Sequence, residues 1–405
     1  MQTTISTRAG RYVKQPTDYR AFIPAPMPPD PPIQMDDELM RLLSDADRAL
    51  GRLDGVASIL PNPDLFVAMY VRHEAVLSSQ IEGTQSTLEE VLVYEADVGG
   101  EPRSKDVAEV VNYVGAMNQG LTRLPSLPLS MRLLREIHAR LLQDVRGGAR
   151  QPGEFRHSQN WIGAAGCTLN QADFIPPPPH EMRKALDNLE TFLHDRKNLP
   201  VLIHCGLAHA QFETIHPFLD GNGRIGRLLI TFLLCEREIL ERPLLYMSYY
   251  LKAHRAQYYD RLTAVRNDGD WEGWLKFFLR GVYEVSLSAT DTAREILTLR
   301  ERHRQLFAEK FANTALRLLD FMYQNPVFSV KMAKEHLKCS YGTAASIVQE
   351  LDSLKIVHET TGQHRNRLFI YDAYMALFQQ QALRLRSEPS DEGEEKITES
   401  KLPQD

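Results

Sequence analysis

His216-Pro217-Phe218-Leu219-Asp220-Gly221-Asn222-Gly223-Arg224-Ile225-Gly226-Arg227 is the stretch on which the reading of this chain turns. Three glycines around one Asn, with two arginines and a carboxylate, pack poorly and suit an anion. Glycines let backbone N–H groups approach a phosphate with no Cβ in the way. The apolar run Leu228–Leu234 then predicts a helix opening at about Gly226. Its N-terminus would turn free N–H groups and positive partial charge back onto the loop. Arg224 and Arg227, three apart, can fork onto phosphate oxygens. Asp220 is placed to hold a divalent cation on those oxygens. His216 at the rim can accept a proton from an attacking hydroxyl near neutral pH.

Rival motifs fail. Gly221–Gly226 matches G-x-G-x-x-G formally, but a dinucleotide fold needs a β-strand just before it, and Leu202–Ile215 reads as helix. No G-K-[ST] and no EF-hand spacing occurs. The alternative is a glycine turn between two core helices. The twelve residues resemble the Fic motif, H-P-F-x-[DE]-G-N-G-R-x-x-R, at every fixed position.

That resemblance implies a protein adenylyltransferase moving AMP from ATP to a Ser, Thr or Tyr hydroxyl of a target protein, or of itself. It makes His216 the general base and Asp220 the ligand of Mg²⁺. Gly221, Asn222, Gly223 and Arg224 become the anion cradle, Arg227 the γ-phosphate clamp, and Phe218 an inward anchor. Relatives of this kind also remove AMP or transfer other phosphate-containing groups. A different class of function is a DNA-binding regulator in which the same domain senses nucleotide.

A second stretch, Asp64–Glu82, has Phe66, Met69, Leu77 and Ile81 at helical spacing and Gly83 at the expected C-terminal stop. Ser78 and Glu82 share a face. A negative charge at a helix C-terminus opposes the macrodipole, so a distant partner is to be sought. Ser78-Ser79-Gln80-Ile81-Glu82-Gly83 matches the inhibitory motif [S/T]-x-x-x-E-[G/N] of self-inhibited Fic proteins. The resemblance pairs Glu82 with Arg227, in the space an ATP γ-phosphate needs. A surface Glu closing an ordinary helix is the plain alternative. Ser86-Thr87-Leu88-Glu89 then restarts a helix with a capping-box pattern.

His157–Ile162 and Ala172–Ile175 read as strands of a β-hairpin around a small-residue turn. In order they correspond to the target-docking flap of the family, here Trp161, Ile162 and Gly163, with strand addition as the docking mode. The other reading is a packed hairpin with Trp161 in the core. Pro176–Pro179 is a strap ending the flap.

The chain has 405 residues, 43% hydrophobic and 25% charged, which suits a globular protein of two or three domains. No apolar run reaches a membrane span, and Met1–Arg11 has no apolar h-region. Cys167, Cys205, Cys235 and Cys339 form no C-x-x-C pair, so reduced thiols and a cytoplasmic location are expected. Net charge is −6, and Ser387–Asp405 supplies most of it with seven acids against two lysines. That tail lacks aromatics and is expected to be disordered.

Residues 1–33 read as a proline-rich extended arm strapped over a surface. Helices are expected over Asp36–Leu53, Leu127–Val145, His180–Arg196 and, as a connector, Val285–Lys310. Trp271, Trp274, Phe277 and Phe278 read as packing, and Asp268/Asp270 as a solvated turn. From Asn313 to Phe378 the order helix, helix–turn–helix and two-stranded wing resembles a winged helix. There Ser340, Tyr341, Thr343, Ser346 and Gln349 face outward, and His364, Arg365 and Arg367 tip the wing. DNA, a docking protein or a second copy of the chain are its candidate partners. The expected fold is a mainly α core with one β-hairpin flap plus the winged helix. Its parts are 1–110 (arm and inhibitory helix), 111–285 (catalytic core), 286–312 (connecting helix), 313–378 (winged helix) and 379–405 (acidic tail).

Overall fold

The computed structural model describes residues 8–58, 63–96, 104–145, 148, 150–164, 166–310, 313–362 and 366–384. Pro61, Asn62, His364, Arg365 and the acidic tail lie outside them. In chain order the elements are β1 (Gly10–Lys14), β2 (Arg20–Pro24), α1 (Asp37–Ser58), α2 (Pro63–Ile81), α3 (Leu88–Ala96), α4 (Lys105–Arg123) and α5 (Met131–Leu141). Then come α6 (Pro179–His194), α7 (Val201–Ile215), α8 (Asn222–Glu236), α9 (Ser248–Ala253), α10 (Arg255–Asp268) and α11 (Trp271–Lys310). The C-terminal elements are α12 (Asn313–Gln324), β3 (Val327–Ser329), α13 (Val330–Leu337), α14 (Tyr341–Ser353), β4 (His358–Glu359), β5 (Leu368–Ile370) and α15 (Asp372–Arg384).

The centre is the pair α7 and α8. Every residue from Leu202 to Ile215 is buried, as is almost all of α8. A helix buried on all sides can only sit inside a bundle. Its neighbours come close through glycines: a Cβ on Gly120 of α4 would lie 2.3 Å from the Phe232 ring of α8. Trp274 of α11 donates its indole N–H to the Gly206 carbonyl of α7 at 2.8 Å.

Three expectations are revised. The N-terminal arm is not merely extended: β1 and β2 pair antiparallel, with Tyr12 opposite Phe22. Gln15-Pro16-Thr17-Asp18 is the turn, with Asp18 at φ 65°. Only the proline-rich part acts as a strap, tied down by Met27 N–H to Asn188 Oδ1 at 2.7 Å. The capping box forms one residue later than read, between Thr87 and Glu90, where Thr87 N–H donates to Glu90 Oε2 at 2.8 Å and Glu90 N–H to Thr87 Oγ1 at 3.2 Å. The connector is no separate piece, because α11 runs unbroken from Trp271 through the 285/286 boundary and packs along α1.

β3, β5 and β4 form one antiparallel sheet in that order. Ser329 and Ser340 cap α13 and α14 with their side chains. Helix α15 extends past the expected end of this unit and packs on α11. The unit also grips α2: Tyr323 lies 5.8 Å from Phe66, and Phe378 lies 5.4 Å from Tyr70 and 5.8 Å from His73, between ring centroids. Among the described residues no helix is long and apolar enough to cross a membrane.

A carboxyl ties α2 down from within. Glu74 is buried and accepts from Tyr113 O–H at 3.2 Å, from Ser248 N–H at 3.2 Å and from the Ser248 hydroxyl. Burial pushes it up to about 7, against the pull of Ser248 and Arg227. A raised pKa means that the folded state holds this proton more tightly. The resulting stability is complete below the unfolded carboxylate range and is lost as pH rises through about 7. Glu74→Gln, with no proton to lose, should therefore gain Tm relative to the parent between pH 5 and pH 8. Parallel Tm profiles for the two proteins would refute this assignment.

Candidate active site

The loop between α7 and α8 starts where α7 ends. His216 sits in the left-handed region at φ 50°, its N–H still bonded to Phe212 O at 2.9 Å. Pro217 cannot continue the helix. Phe218 is buried and lies flat on the His138 ring, centroids 3.8 Å apart at 9°. Gly221 at φ 78° precedes α8, which opens at Asn222, four residues earlier than the sequence suggested. The reason is Asn222 itself: its Oδ1 accepts from Phe218 N–H and its Nδ2 donates to Phe218 O, both at 2.8 Å. That side chain shapes the loop, leaving only its backbone amide for an anion. The amides of Gly221, Asn222 and Gly223 donate to no protein group among the described residues.

The arginines diverge. Arg224 is buried, with one nitrogen 3.2 Å from Glu109 of α4 and another 3.3 Å from Asp220. Arg227 is 1% exposed and donates to Ser78 Oγ at 2.7 Å, Ser78 O at 3.0 Å and Glu82 Oε1 at 2.6 Å. Glu82 stands just past the end of α2, in a turn closed by Glu82 N–H to Ser79 O at 3.1 Å, with Gly83 at φ 98°. Burial works to raise the Glu82 carboxyl, but the Arg227 guanidinium outweighs it and holds the group below its ordinary range. Burial works to lower Arg227, and Glu82 more than reverses that. A Cβ on Gly223 would lie 2.2 Å from Glu82 Oε1. The carboxylate therefore lies directly over the glycine of the anion loop.

His216 is pushed down to about 4 by burial and by Arg156, so it is neutral near pH 7. The Asp220 side chain remains 37% exposed. No group of three or more His, Cys, Asp or Glu side chains suited to a metal occurs among the described residues. Asp220 is the one carboxylate within the 216–227 stretch.

Several residues went unnoticed in the sequence. Arg156, buried, donates to His216 O at 2.9 Å and Pro177 O at 2.6 Å, while its backbone N–H donates to Pro217 O at 3.0 Å. Asn160 donates to Phe218 O at 2.9 Å. Glu213, three residues before His216, is buried under Gly226 and pushed up to about 7 by burial, with Arg227 opposing. For Glu213 the available signal was a glutamate within the largely apolar α7; Arg156 and Asn160 lie in a polar stretch that gave none.

The flap departs from the expected hairpin. It is a single antiparallel bridge, Ile162 with Phe174, their N–H···O bonds being 2.8 and 3.1 Å. The preceding residues give their polar groups to the loop after α7, and Pro176 and Pro177 bring no N–H to a ladder. Trp161 is 40% exposed rather than in the core, its indole N–H on Cys167 O at 3.0 Å. Gly163 is also exposed. Behind Ile175, Phe22 of β2 donates its N–H to the Ile175 carbonyl at 2.9 Å, so β2 backs the bridge.

The Fic/DOC family N-terminal model matches residues 40–122 and the Fic/DOC family model residues 128–234. The protein adenylyltransferase Fic of Aedes aegypti is 32% identical over 152 residues, 37% of this chain and 27% of that protein. A probable protein adenylyltransferase of Aquifex aeolicus (strain VF5) is 36% identical over 84 residues, 21% of this chain and 26% of that one. The chain thus spans about a quarter of the length of these relatives. A solved Fic family protein from Desulfovibrio desulfuricans G20 has a TM-score of 0.53 at 18% identity, covering 84% of this chain and 97% of that one, a likeness of fold. Residues 40–122 and 128–234 thus carry the two Fic/DOC family domains, in a fold shared with that solved protein.

Proposed function

We propose that the protein is a protein adenylyltransferase whose nucleotide site is held shut by its own α2. The observation that carries this reading is the Glu82–Arg227 contact of 2.6 Å, made over Gly223 within the anion loop. The amides of Gly221, Asn222 and Gly223 supply N–H donors at a helix N-terminus for the phosphates of ATP. Asp220 would hold magnesium, which supplies charge neutralisation on the α- and β-phosphates. His216, neutral and at the loop's edge, takes the proton of a target Ser, Thr or Tyr hydroxyl as its oxygen attacks the α-phosphorus. The bond from that phosphorus to the bridging oxygen breaks, and pyrophosphate leaves with the electron pair. Trp161 and Gly163, exposed on either side of the half-buried Ile162, mark the edge where an extended target segment would lie.

With Glu82 in place, Arg227 is already paired and the carboxylate repels a γ-phosphate. Binding would then be skewed rather than chemistry removed. ATP and a target protein are thus the substrates, and Ser78 and Glu82 the brake.

A second reading concerns the C-terminal unit, taken as a winged helix. Ser340, Tyr341, Thr343, Ser346 and Gln349 are all exposed along α14. Lys331, Lys334, Tyr341 and Arg367 line one cleft of about 560 Å³ beside it. Cations next to an exposed helix face suit a DNA backbone.

Three measurements test these readings. His216→Ala should bind nucleotide as the parent does yet lose transfer by ~10²–10⁴-fold, the share of a general base; wild-type rates in an α-labelled ATP assay would remove His216 from that role. Glu82→Gly should raise auto-labelling by about 10²-fold, the effect of correcting a misplaced substrate. Glu82→Gln should release the brake only in part, and Arg227→Ala not at all, since that change also deletes the clamp. Equal labelling of parent and Glu82→Gly would show α2 to be scaffold. For the C-terminal unit, Lys334→Ala with Arg367→Ala should weaken DNA binding and flatten its salt dependence by about one slope unit per lost phosphate contact. Unchanged gel-shift affinity would argue for protein docking instead.

A further inference from the structure

His138 of α5 is fully buried, and the proposed chemistry leaves it without a role. Its two ring nitrogens are committed to partners that cannot exchange roles. Gly153 N–H, which can only donate, points to Nδ1 at 2.8 Å. The carbonyl of Asp220, which can only accept, lies 3.0 Å from Nε2. The ring is therefore the neutral tautomer carrying its proton on Nε2. Phe218 covers one face in a parallel stack at 3.8 Å, so the ring cannot turn without displacing the loop's anchor.

The consequence lies on the far side of one peptide bond. The Asp220–Gly221 peptide is not among the cis bonds of the chain. In a planar trans peptide C=O and N–H point in opposite directions. Drawing the Asp220 carbonyl back toward α5 therefore sends the Gly221 N–H the other way, at the start of α8. Gly221, with no Cβ and φ 78°, could otherwise let this peptide flip at little cost.

We propose that His138 is a positioning residue of the nucleotide site. By holding the Asp220 carbonyl it fixes the direction of the Gly221 amide and the root of the Asp220 side chain. The inference rests on the reading of this loop as a phosphate site. His138 touches neither nucleotide nor target; it acts through the backbone of the loop.

Two isosteric changes separate its two bonds. Asn reaches about as far as Nδ1 and Gln about as far as Nε2. Both are placed in the Glu82→Gly protein, where the brake is off. Calorimetry with Mg·ATP and Mg·ADP, labelling kinetics and thermal unfolding are then compared with the Glu82→Gly parent. His138→Asn should keep the Gly153 bond, unfold cooperatively, and raise Kd and KM for nucleotide about tenfold with a smaller change in kcat. His138→Gln should bring nucleotide affinity back to within about threefold of the parent, even if its Tm is no higher than that of His138→Asn. A role in packing alone would instead make affinity follow Tm. Parent-like nucleotide binding by His138→Asn, or no recovery in a folded His138→Gln, would overturn the inference while leaving the phosphate-site reading intact. A Glu82→Gly parent that binds neither nucleotide would overturn that reading, and this inference with it.

Discussion

A glycine-bearing loop set between two wholly buried helices has to place its backbone carbonyls. Buried carbonyls without donors are costly, and here the bundle supplies the donors. Ile215 and His216 oxygens face Arg156, and the Pro217 oxygen faces the Arg156 amide. The Phe218 oxygen is met by Asn160 and Asn222, Asp220 by His138, and Gly221 by the Ile225 amide. The donors come from three places in the chain: α5, the segment before the flap, and α8 itself. The loop's acceptors are consumed inward, and its donors at Gly221, Asn222 and Gly223 are left over. That asymmetry is what makes the segment a site for an anion, since it offers N–H groups and little competing oxygen. The arginines add charge, but the polarity of the site is already set by the backbone.

The same asymmetry explains why a carboxylate can rest there. Glu82 breaks the helix-dipole rule on α2 because it serves as an anion for another helix's N-terminus. Its position requires three things at once. Arg227 must be buried and otherwise short of a counter-charge, Gly223 must lack a Cβ, and α2 must be held at a fixed height. The last comes from packing. Glu74 is bonded to Tyr113 and Ser248, and Phe66, Tyr70 and His73 are wedged between rings of α12 and α15. The C-terminal unit is thus part of the support of α2 and shares one apolar core with the rest of the chain. Its boundary at residue 313 marks a change of sequence rhythm rather than a gap in packing.

How far the sequence carried the reading depended on whether the cause was local. Helices with a clear apolar stripe, such as α1 and α6, could be located from spacing alone. So could the candidate site of His216, Asp220 and the glycines, because the motif gathers them within twelve residues. Glu82 was legible as an anomaly, a charge in a place its own helix disfavours. What could not be read was anything completed by a distant partner. Glu109 looks like one more polar residue of α4 until Arg224 stands 3.2 Å from it. His138 sits on the apolar face of α5, where a histidine most often means packing. The flap failed for the same reason in reverse: two short strand-like pieces around a small-residue turn suggested a ladder, but the polar groups before Ile162 were claimed by the loop that follows α7. The Gln15-Pro16-Thr17-Asp18 turn carried ordinary turn chemistry and was overlooked beside the prolines that follow.

The two arginines show how one motif serves two mechanical purposes. Arg224 is held by Glu109 of α4 and Asp220 of the loop, neither of which belongs to α2. Its charge is nearly spent within the fold, and it steadies the carboxylate expected to meet magnesium. Arg227 is held by Ser78 and Glu82, and both of those belong to α2 and the turn that closes it. Its bonds can be exchanged as a set, since a γ-phosphate offers oxygens in place of one carboxylate. A buried guanidinium left with no partner would be strongly unfavourable, so Arg227 always favours some anion in that space. Under the proposed function, release of Glu82 is then a substitution of one anion for another around an arginine that need not move. For that reason the Glu82–Arg227 contact and the candidate active site cannot be understood as separate features: the carboxylate rests on the same cation, the same glycine and the same unpaired amides that the proposed substrate would use.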